Sequence, residues 1–184
     1  MKANANAAAP VAIQSLADCS EQALETFVGK LPVHDLLFLD RDIRHPRVLA
    51  AWRRAIAGGT IHSLVAVADN EIVATTAVIK DPLSWSAHVA DVRLLVLPAS
   101  RGQGVGRALL EASIEHAIAE GATKLTARMT PDQRGAITLF EESGFRGEAL
   151  LRDQVRDTSG QVHDIAVLSL DVGQEAARKA AFAA

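Results

Sequence analysis

The hexapeptide Arg101-Gly102-Gln103-Gly104-Val105-Gly106 decides the fold of this chain. It follows an apolar, strand-like run, Val89–Leu97, and opens a helical pattern that continues to about Glu120. A glycine-rich turn between a strand and a helix presents a row of backbone N–H groups, and the helix adds roughly half a positive charge at its N-terminus. The sequence therefore predicts an anion-binding turn at this point.

The spacing of the glycines limits which anion the turn binds. A dinucleotide fingerprint requires a glycine three residues after Gly104, where this chain has Arg107, and the Gly-Lys-Ser/Thr ending of a P-loop is missing from the turn. This disfavours a flavin or nicotinamide site. The pattern that fits is Arg-x-x-Gly-x-Gly, in which Gly104 and Gly106 let phosphates approach the backbone while Arg101 and Arg107 supply positive charge. The alternative is that the turn is an ordinary glycine-rich connection between a strand and a helix, with no bound ligand.

The size and composition are those of one globular domain. The chain has 184 residues, of which 49% are hydrophobic and 22% charged. A net charge of −3 argues against nucleic acid as a bulk partner, and no stretch approaches the roughly 20 apolar residues of a membrane span. The single cysteine, Cys19, excludes an internal disulfide, which suits a reducing cytoplasm. Met1–Pro10, rich in Ala and Asn, is expected to be a flexible tail.

Hydrophobic periodicity and breaker residues predict a mixed order of strands and helices. Asp69-Asn70 marks a hairpin, and Thr130-Pro131-Asp132-Gln133 marks a helix start, with Thr130 as N-cap and Gln133 completing a capping box. The other predicted elements are strand Val11–Ala17, helix Ser20–Val28, a loop or short helical turns over Leu31–His45, helix Pro46–Ala57, strands His62–Ala68, Glu71–Lys80, His88–Leu97 and Lys124–Met129, and paired strands Phe145–Val155 and Val162–Leu170.

A second motif lies in the last predicted helix. Ala136–Phe145 reads Ala-Ile-Thr-Leu-Phe-Glu-Glu-Ser-Gly-Phe, about thirty residues after the glycine turn. The two motifs together resemble the GNAT superfamily of N-acetyltransferases. The resemblance implies a mixed α/β (α+β-like) fold, with a mostly antiparallel twisted sheet of about seven strands, helices on both faces and a splayed cofactor cleft. It assigns residues 11–171 to one domain and 172–184 to an Ala-rich tail or short helix.

The resemblance implies acetyl-CoA as co-substrate, with no metal. The fourth predicted strand, His88–Leu97, would lie beside the pantetheine arm. A backbone N–H near Leu95 or Val96 would polarise the thioester carbonyl. Gln133 stands where relatives usually have a cofactor-contacting Asn, although a capping role explains it equally well. The expected cofactor-binding residues are Leu94, Leu95, Val96, Leu97, Arg101, Gly102, Gln103, Gly104, Val105, Gly106, Arg107, Gln133 and Phe140.

The catalytic groups of the family are less visible in this sequence. Relatives place a general base on the fourth strand, but those positions are Ala90 and Val92 here, so His88, two residues back on the same face, is the candidate. Relatives commonly have a tyrosine that protonates the leaving thiolate, and this chain has Phe140 there and no tyrosine anywhere. We expect a water or Ser143 to take its place, or the thiolate to leave unprotonated.

The acceptor is poorly encoded. In the family it enters between the segment joining the first helices, here Leu31–His45, and the last hairpin, here Arg152–Gln161. Asp35, Asp40 and Asp42 in the first segment would attract a cationic amine, but nearby basic residues oppose this. Two functions stay open: acetyl transfer to a primary amine of a small molecule or peptide N-terminus, and a catalytically weak acyl-CoA-binding or sensing protein. The resemblance also leaves a homodimer open.

Overall fold

The computed structural model describes residues 11–176. Four helices of nine or more residues and eight strands form one mixed α/β unit. The helices are α1 Glu21–Gly29, α2 Pro46–Ala57, α3 Val105–Ala119 and α4 Arg134–Glu142. The strands are β1 Ala12–Ser15, β2 Ile61–His62, β3 Leu64–Ala68, β4 Glu71–Ile79, β5 Val89–Val96, β6 Lys124–Met129, β7 Arg146–Arg156 and β8 Val162–Asp171.

The strands form one sheet in the order β1-β3-β4-β5-β6-β8-β7, with β2 paired to β4. All pairs are antiparallel except β5 and β6, which the crossover helix α3 connects in parallel. This confirms the predicted fold class. The extra strand arises because the predicted strand His62–Ala68 is divided, with β2 ending at His62 and β3 beginning at Leu64.

The helices cover both faces of the sheet. On one face, α1 and α2 enclose a core that includes Leu24, Phe27 and Leu49 with Leu95 of β5. On the other face, α3 and α4 pack on a core that includes Leu110. The segment between α1 and α2, residues Leu31–His45, is called the α1–α2 segment below; it contains a 3₁₀ turn, Val33–Leu36, as the irregular sequence predicts.

Local sequence explains most element boundaries. Ser20 caps α1 by accepting a hydrogen bond from the Ala23 amide at 3.1 Å. Pro46 occupies the first turn of α2, and Gly58 is the C-cap that follows its last residue, Ala57. Asp69 and Asn70 both adopt positive φ, as the two-residue hairpin requires. Among residues 11–176 no helix is long and apolar enough to cross a membrane.

One predicted boundary is wrong. Helix α4 begins at Arg134 with Gln133 at the N-cap position, not at Pro131 with Thr130 as cap. Residues 130–133 form a turn instead, in which the Gln133 amide donates to the Thr130 carbonyl at 3.0 Å. The Thr130 hydroxyl lies 3.3 Å from the His34 ring and does not cap the helix. Half of the expected capping box survives, because the Gln133 side chain accepts from the Thr130 amide at 3.2 Å.

The predictions for the chain ends fall largely outside the described residues. Residues 1–10 and 177–184 lie beyond them, so the predicted N-terminal tail and most of the C-terminal one are not described. Residues 172–176, at the start of the predicted C-terminal tail, are helical.

Candidate active site

The site is a cleft between two diverging strands. β5 and β6 pair over three positions only, from Val89 opposite Lys124 to Asp91 opposite Thr126. Beyond this point β5 continues to Val96 without contact to β6 in the ladder, and a cavity of about 720 Å³ opens between them. That volume lies within the roughly 300–1,000 Å³ range of small-molecule sites. The glycine turn forms the outer end of the same cleft.

The backbone of β5 alternates between its two neighbours. The Leu97 amide donates to Val73 of the preceding strand at 2.9 Å, and opposed residues of an antiparallel pair are hydrogen-bonded at every second position. Leu95 therefore also faces β4, whereas the backbone groups of Leu94 and Val96, beyond the last β5–β6 pair, face the cleft. The amides of Leu95 and Val96 were the two candidates to contact the thioester. Because the Leu95 amide faces β4, only that of Val96 points into the cleft.

The glycine turn divides into two kinds of position. Gly102 and Gly104 have φ of +72° and +82°, which side-chain-bearing residues rarely adopt, and nothing lies within 4 Å of where their Cβ atoms would be. Gly104 is the N-cap of α3 and offers no side-chain cap, so the first amides of the helix are left for another acceptor. Such a turn supplies an anion site.

Gly106 has a different role from the one expected. It lies inside the first turn of α3, and a Cβ atom there would come within 3.3 Å of both the Leu139 and Val96 side chains. Its lack of a side chain therefore permits α3 to pack closely against β5 and α4. Gly106 shapes the wall of the cleft through this packing, without a positive φ.

Both arginines of the motif are already engaged. Arg101 forms an ion pair with Asp35 and donates through Nε and Nη2 to the Val96 carbonyl at 3.2 and 3.1 Å. Arg107 forms an ion pair with Glu142 of α4. Both guanidinium groups line the cleft, but an anion that binds either of them competes with the carboxylate already paired with it.

The other expected cofactor residues divide between the cleft and its surroundings. Gln133 lines the cleft. Gln103 donates to the Ala99 carbonyl at 2.9 Å, Val105 is buried at the start of α3, and Leu97 belongs to the core beneath α1 and α2. None of these three residues lines the cleft. The residues that do line it are Leu94, Leu95, Val96, Arg101, Gly102, Gly104, Gly106, Arg107, Gln133 and Phe140.

Phe140 occupies the floor of the cleft. Its side chain is 3% exposed and its ring meets that of Phe145 edge to face, with centroids 5.0 Å apart. Ser143, the expected substitute acid, donates its hydroxyl to the Leu139 carbonyl at 2.9 Å and does not line the cleft. Among residues 11–176, neither Phe140 nor Ser143 therefore supplies an acidic side chain to the floor of the cleft.

His88 lies away from the cleft. It is exposed, precedes the first residue of β5, and its carbonyl accepts from the Thr123 amide at 2.9 Å. The cleft opens at the other end of β5, and His88 is not among its lining residues. The position gives no support to His88 as a general base.

A polar cluster that the sequence did not reveal lies where the strands separate. Arg93 binds Asp91 on its own strand at 2.8 Å and Asp40 of the α1–α2 segment at 2.7 Å. Burial disfavours the charged guanidinium, but the charges and hydrogen bonds of the two carboxylates outweigh it and raise the pKa of Arg93. Thr126 lies 3.4 Å from Asp91, and Arg128 lies 3.5 Å from Asp40. The contact of Arg93 with Asp40, fifty-three residues away, has no sequence signal.

A second unforeseen contact joins the two walls of the cleft. His34 binds Asp132, which follows β6, at 2.8 Å, and the next residue, Asp35, binds Arg101 of the glycine turn. The Thr130 hydroxyl and then the charge of His34 lower the pKa of Asp132. The 3₁₀ turn Val33–Leu36 thus spans the mouth from one wall to the other. Among residues 11–176, no cluster of three or more His, Cys, Asp or Glu residues has the arrangement of a metal site.

Known proteins share this sequence pattern and this architecture. Residues 30–145, more than half of the chain, match the model of the acetyltransferase (GNAT) family. Over 84 residues the chain is 33% identical to N-acetyltransferase 8F1 of Rattus norvegicus; the match covers 45% of this chain and 38% of that protein's length.

Solved structures agree in fold. A ribosomal-protein-alanine N-acetyltransferase from Brucella melitensis has a TM-score of 0.71 at 18% identity, covering 87% of this chain and 99% of that one. The protein yncA of Salmonella typhimurium, solved with its cofactor acetyl-CoA, has a TM-score of 0.72 at 20% identity, covering 89% and 94%. The family match, the strand order and the splayed cleft lead to one conclusion: the chain belongs to the GNAT family of acetyltransferases.

Proposed function

We propose that this protein transfers the acetyl group of acetyl-CoA to a primary amine of a small molecule or a peptide N-terminus. The observation that carries the proposal is the open cleft between β5 and β6, which ends at an uncapped helix N-terminus. The diphosphate of the carrier binds the amides that follow Gly104, and its pantetheine arm extends along the cleft-facing backbone of Leu94 and Val96. We assign this activity to a domain over residues 11–171 and, on the single cysteine, to the cytoplasm.

The reaction needs few side chains. The neutral amine attacks the thioester carbonyl carbon and negative charge develops on the carbonyl oxygen. The nitrogen then gives one proton to water as the carbon–sulfur bond breaks, which leaves a neutral amide and the thiolate of CoA. A cleft-facing amide of β5 stabilises the developing oxyanion, a contribution that mutagenesis in other enzymes values at roughly 10²–10³ in rate. Because a thiol has a pKa near 8.5, the thiolate leaves and takes its proton from water.

The attacking amine first has to lose a proton, since an alkylammonium has a pKa near 10.4. We propose that this proton leaves through the polar cluster at the strand divergence. Asp91 belongs to the last residue pair before β5 and β6 separate, and it is the carboxylate of β5 at that point. Asp91 does not itself line the cleft, but unlike His88 it lies where the strands separate. Its contacts with Arg93 and Thr126 fix it in place, and a water relays the proton to it from the amine.

One observation favours the second candidate function, a slow acyl-CoA-binding protein. Phe140 fills the floor of the cleft with a buried phenyl ring, and a phenyl ring has no proton to donate to the leaving group from that position. If this step limits the rate, the protein binds acetyl-CoA tightly and turns it over slowly.

Release of free thiol from acetyl-CoA in the presence of an amine panel tests the proposal, together with calorimetric binding of CoA. Gly104→Val should weaken CoA binding by about 10-fold or more, because a β-branched residue does not tolerate the positive φ that shapes the turn. Gly160→Val is the matched control, since Gly160 also has positive φ but lies in the β7–β8 hairpin. CoA binding without thiol release for any amine would favour the second candidate; equal losses in both variants would refute the assignment of the turn.

A further inference from the structure

We propose that the acceptor is a monoamine with one compact apolar group, a single ring or a branched alkyl chain, and that this group binds in a pocket beneath α2. The inference rests on the proposed function and names its substrate class. The pocket, here called the α2 pocket, measures about 250 Å³ and lies on the face of the sheet covered by α1 and α2.

Most residues that line the α2 pocket are apolar, and the charged ones are Asp40, Arg41 and Arg93. Helix α2 contributes Val48, Ala51 and Trp52, and the sheet contributes Ala77 and Ile79 of β4. An engineered apolar protein cavity of about 150 Å³ holds benzene, so 250 Å³ suffices for one ring or a branched chain. The volume is below the roughly 300–1,000 Å³ of sites for larger ligands.

The α2 pocket adjoins the cofactor cleft. Leu95 of β5 lines both cavities. Asp40 lies at the lip of the α2 pocket and reaches Arg128, which lines the cleft, at 3.5 Å. Both cavities therefore meet at the polar cluster where β5 and β6 separate. An amine whose apolar group fills the α2 pocket has its nitrogen directed toward that meeting point.

The carboxylates that would attract a polycation already have partners. Asp35 pairs with Arg101, Asp40 with Arg93, and Asp42 with Arg44 at 2.7 Å. The hydrogen bonds from Arg44 lower the pKa of Asp42, in keeping with a formed ion pair. A polyamine or basic peptide would have to displace these internal cations in order to bind.

The lip of the pocket carries excess positive charge. Three guanidinium groups surround it or its junction with the cleft, those of Arg41, Arg93 and Arg128, and two carboxylates oppose them, those of Asp40 and Asp91. Arg41 is exposed and has no acidic partner within residues 11–176. A second cationic group on the acceptor is therefore disfavoured, whereas a neutral or anionic substituent is accepted.

The first test compares kcat/KM for phenethylamine, isopentylamine, phenylalanine, methylamine and spermidine. One methylene group in an apolar pocket is worth about 10- to 200-fold in specificity, so phenethylamine should exceed methylamine and spermidine by at least about 10-fold. A preference for spermidine, or equal rates for phenethylamine and methylamine, would overturn the inference.

The second test fills the pocket. Ala51→Leu should reduce kcat/KM for phenethylamine about 10-fold or more and leave methylamine and the KM of acetyl-CoA unchanged. Ala57→Leu is the matched control, because Ala57 is exposed at the end of the same helix and does not line the pocket. Ala55→Leu repeats the filling from the next turn of α2 in case Ala51→Leu folds poorly. Unchanged selectivity in the folded variant would overturn the inference.

A binding measurement separates this inference from the proposed function. The chain has two tryptophans: Trp85 is fully exposed, and Trp52 lines the α2 pocket. In a Trp85→Phe background, phenethylamine should change Trp52 emission, and Ala51→Leu should abolish the change. Such binding without thiol release from any amine would defeat the proposed function alone. Thiol release without a change in Trp52 emission would defeat the pocket assignment alone.

Discussion

Replacing Asp35 with asparagine should strengthen the binding of acetyl-CoA. Asp35 pairs with Arg101, so in the free protein a carboxylate already contacts the guanidinium at the glycine turn. The side chain of Asp35 is 14% exposed and that of Arg101 is 49% exposed, so a partly exposed ion pair is broken when a diphosphate takes over the contact. The neutral amide of the Asp35→Asn variant would release Arg101 from this competition, while the Val96 carbonyl continues to hold the guanidinium in place.

The expected gain is modest. Exposed ion pairs are worth about 0.2–1 kcal/mol, and the burial of Asp35 places this one in the upper half of that range. About 0.5–1 kcal/mol corresponds to a two- to five-fold lower Kd for CoA, since 1.4 kcal/mol is about tenfold. The gain should shrink at high salt, because screening already weakens the competing pair.

Calorimetry with CoA measures this difference directly, and Asp42→Asn supplies the control. Asp42 lies in the same segment but pairs with Arg44 and does not line the cleft, so its replacement should leave the Kd unchanged. Weaker binding by Asp35→Asn would show that Asp35 orients Arg101 for the anion and does not compete with it. That result would refute the reasoning.

Packing and titration give three further predictions. Gly106→Val should lower Tm by about 2–12 °C, because overpacking against Leu139 costs about 1–3 kcal/mol at 2–4 °C each in a domain of this size; an unchanged Tm in calorimetry would refute the close packing. Phe140→Tyr should raise kcat several-fold near pH 7 and have no effect above about pH 8.5, where the thiolate needs no proton; a kcat equal to wild type at both pH values would mean that protonation is not limiting. Burial and then His116, stacked at 3.5 Å, lower the pKa of His62, so stability is complete above pH ~6.5 and falls on acidification. His62→Asn should reduce this fall in Tm between about pH 7 and 5, and an identical pH profile would contradict the assignment.

The fold could be predicted because its signals are local. The Asp69-Asn70 hairpin, Pro46 at the start of α2 and the periodicity of Val105–Ala119 each specify structure within a few residues of chain. The start of α4 was mispredicted because a distant residue intervenes. His34 lies beside the Thr130 hydroxyl, so the side chain that would have capped the helix is used in a tertiary contact.

The candidate site was predictable only where a motif encodes it. The glycine turn is a contiguous signal, so its position followed from the sequence. The acidic partner of Arg101 could not be predicted, because Asp35 lies 66 residues away in the sequence. The α2 pocket was equally unpredictable, since α2, β4 and β5 form it together. The hydrophobic pattern of each element alone gives no sign of a cavity between them. Pairing and cavities are tertiary properties, which a single sequence does not specify locally.

The central claim is that the amides after Gly104 bind the diphosphate of a thioester carrier. Calorimetric titration with CoA and with pantetheine, which lacks the diphosphate and the adenosine 3′-phosphate attached to it, tests this claim in the wild-type protein, and the same titration of Gly104→Val isolates the contribution of the turn. We predict that CoA binds and that pantetheine binds at least about 100-fold more weakly, since several charge-assisted hydrogen bonds of roughly 1.5–3 kcal/mol each are lost. Equal affinity for the two compounds, or no heat from CoA, would contradict this claim.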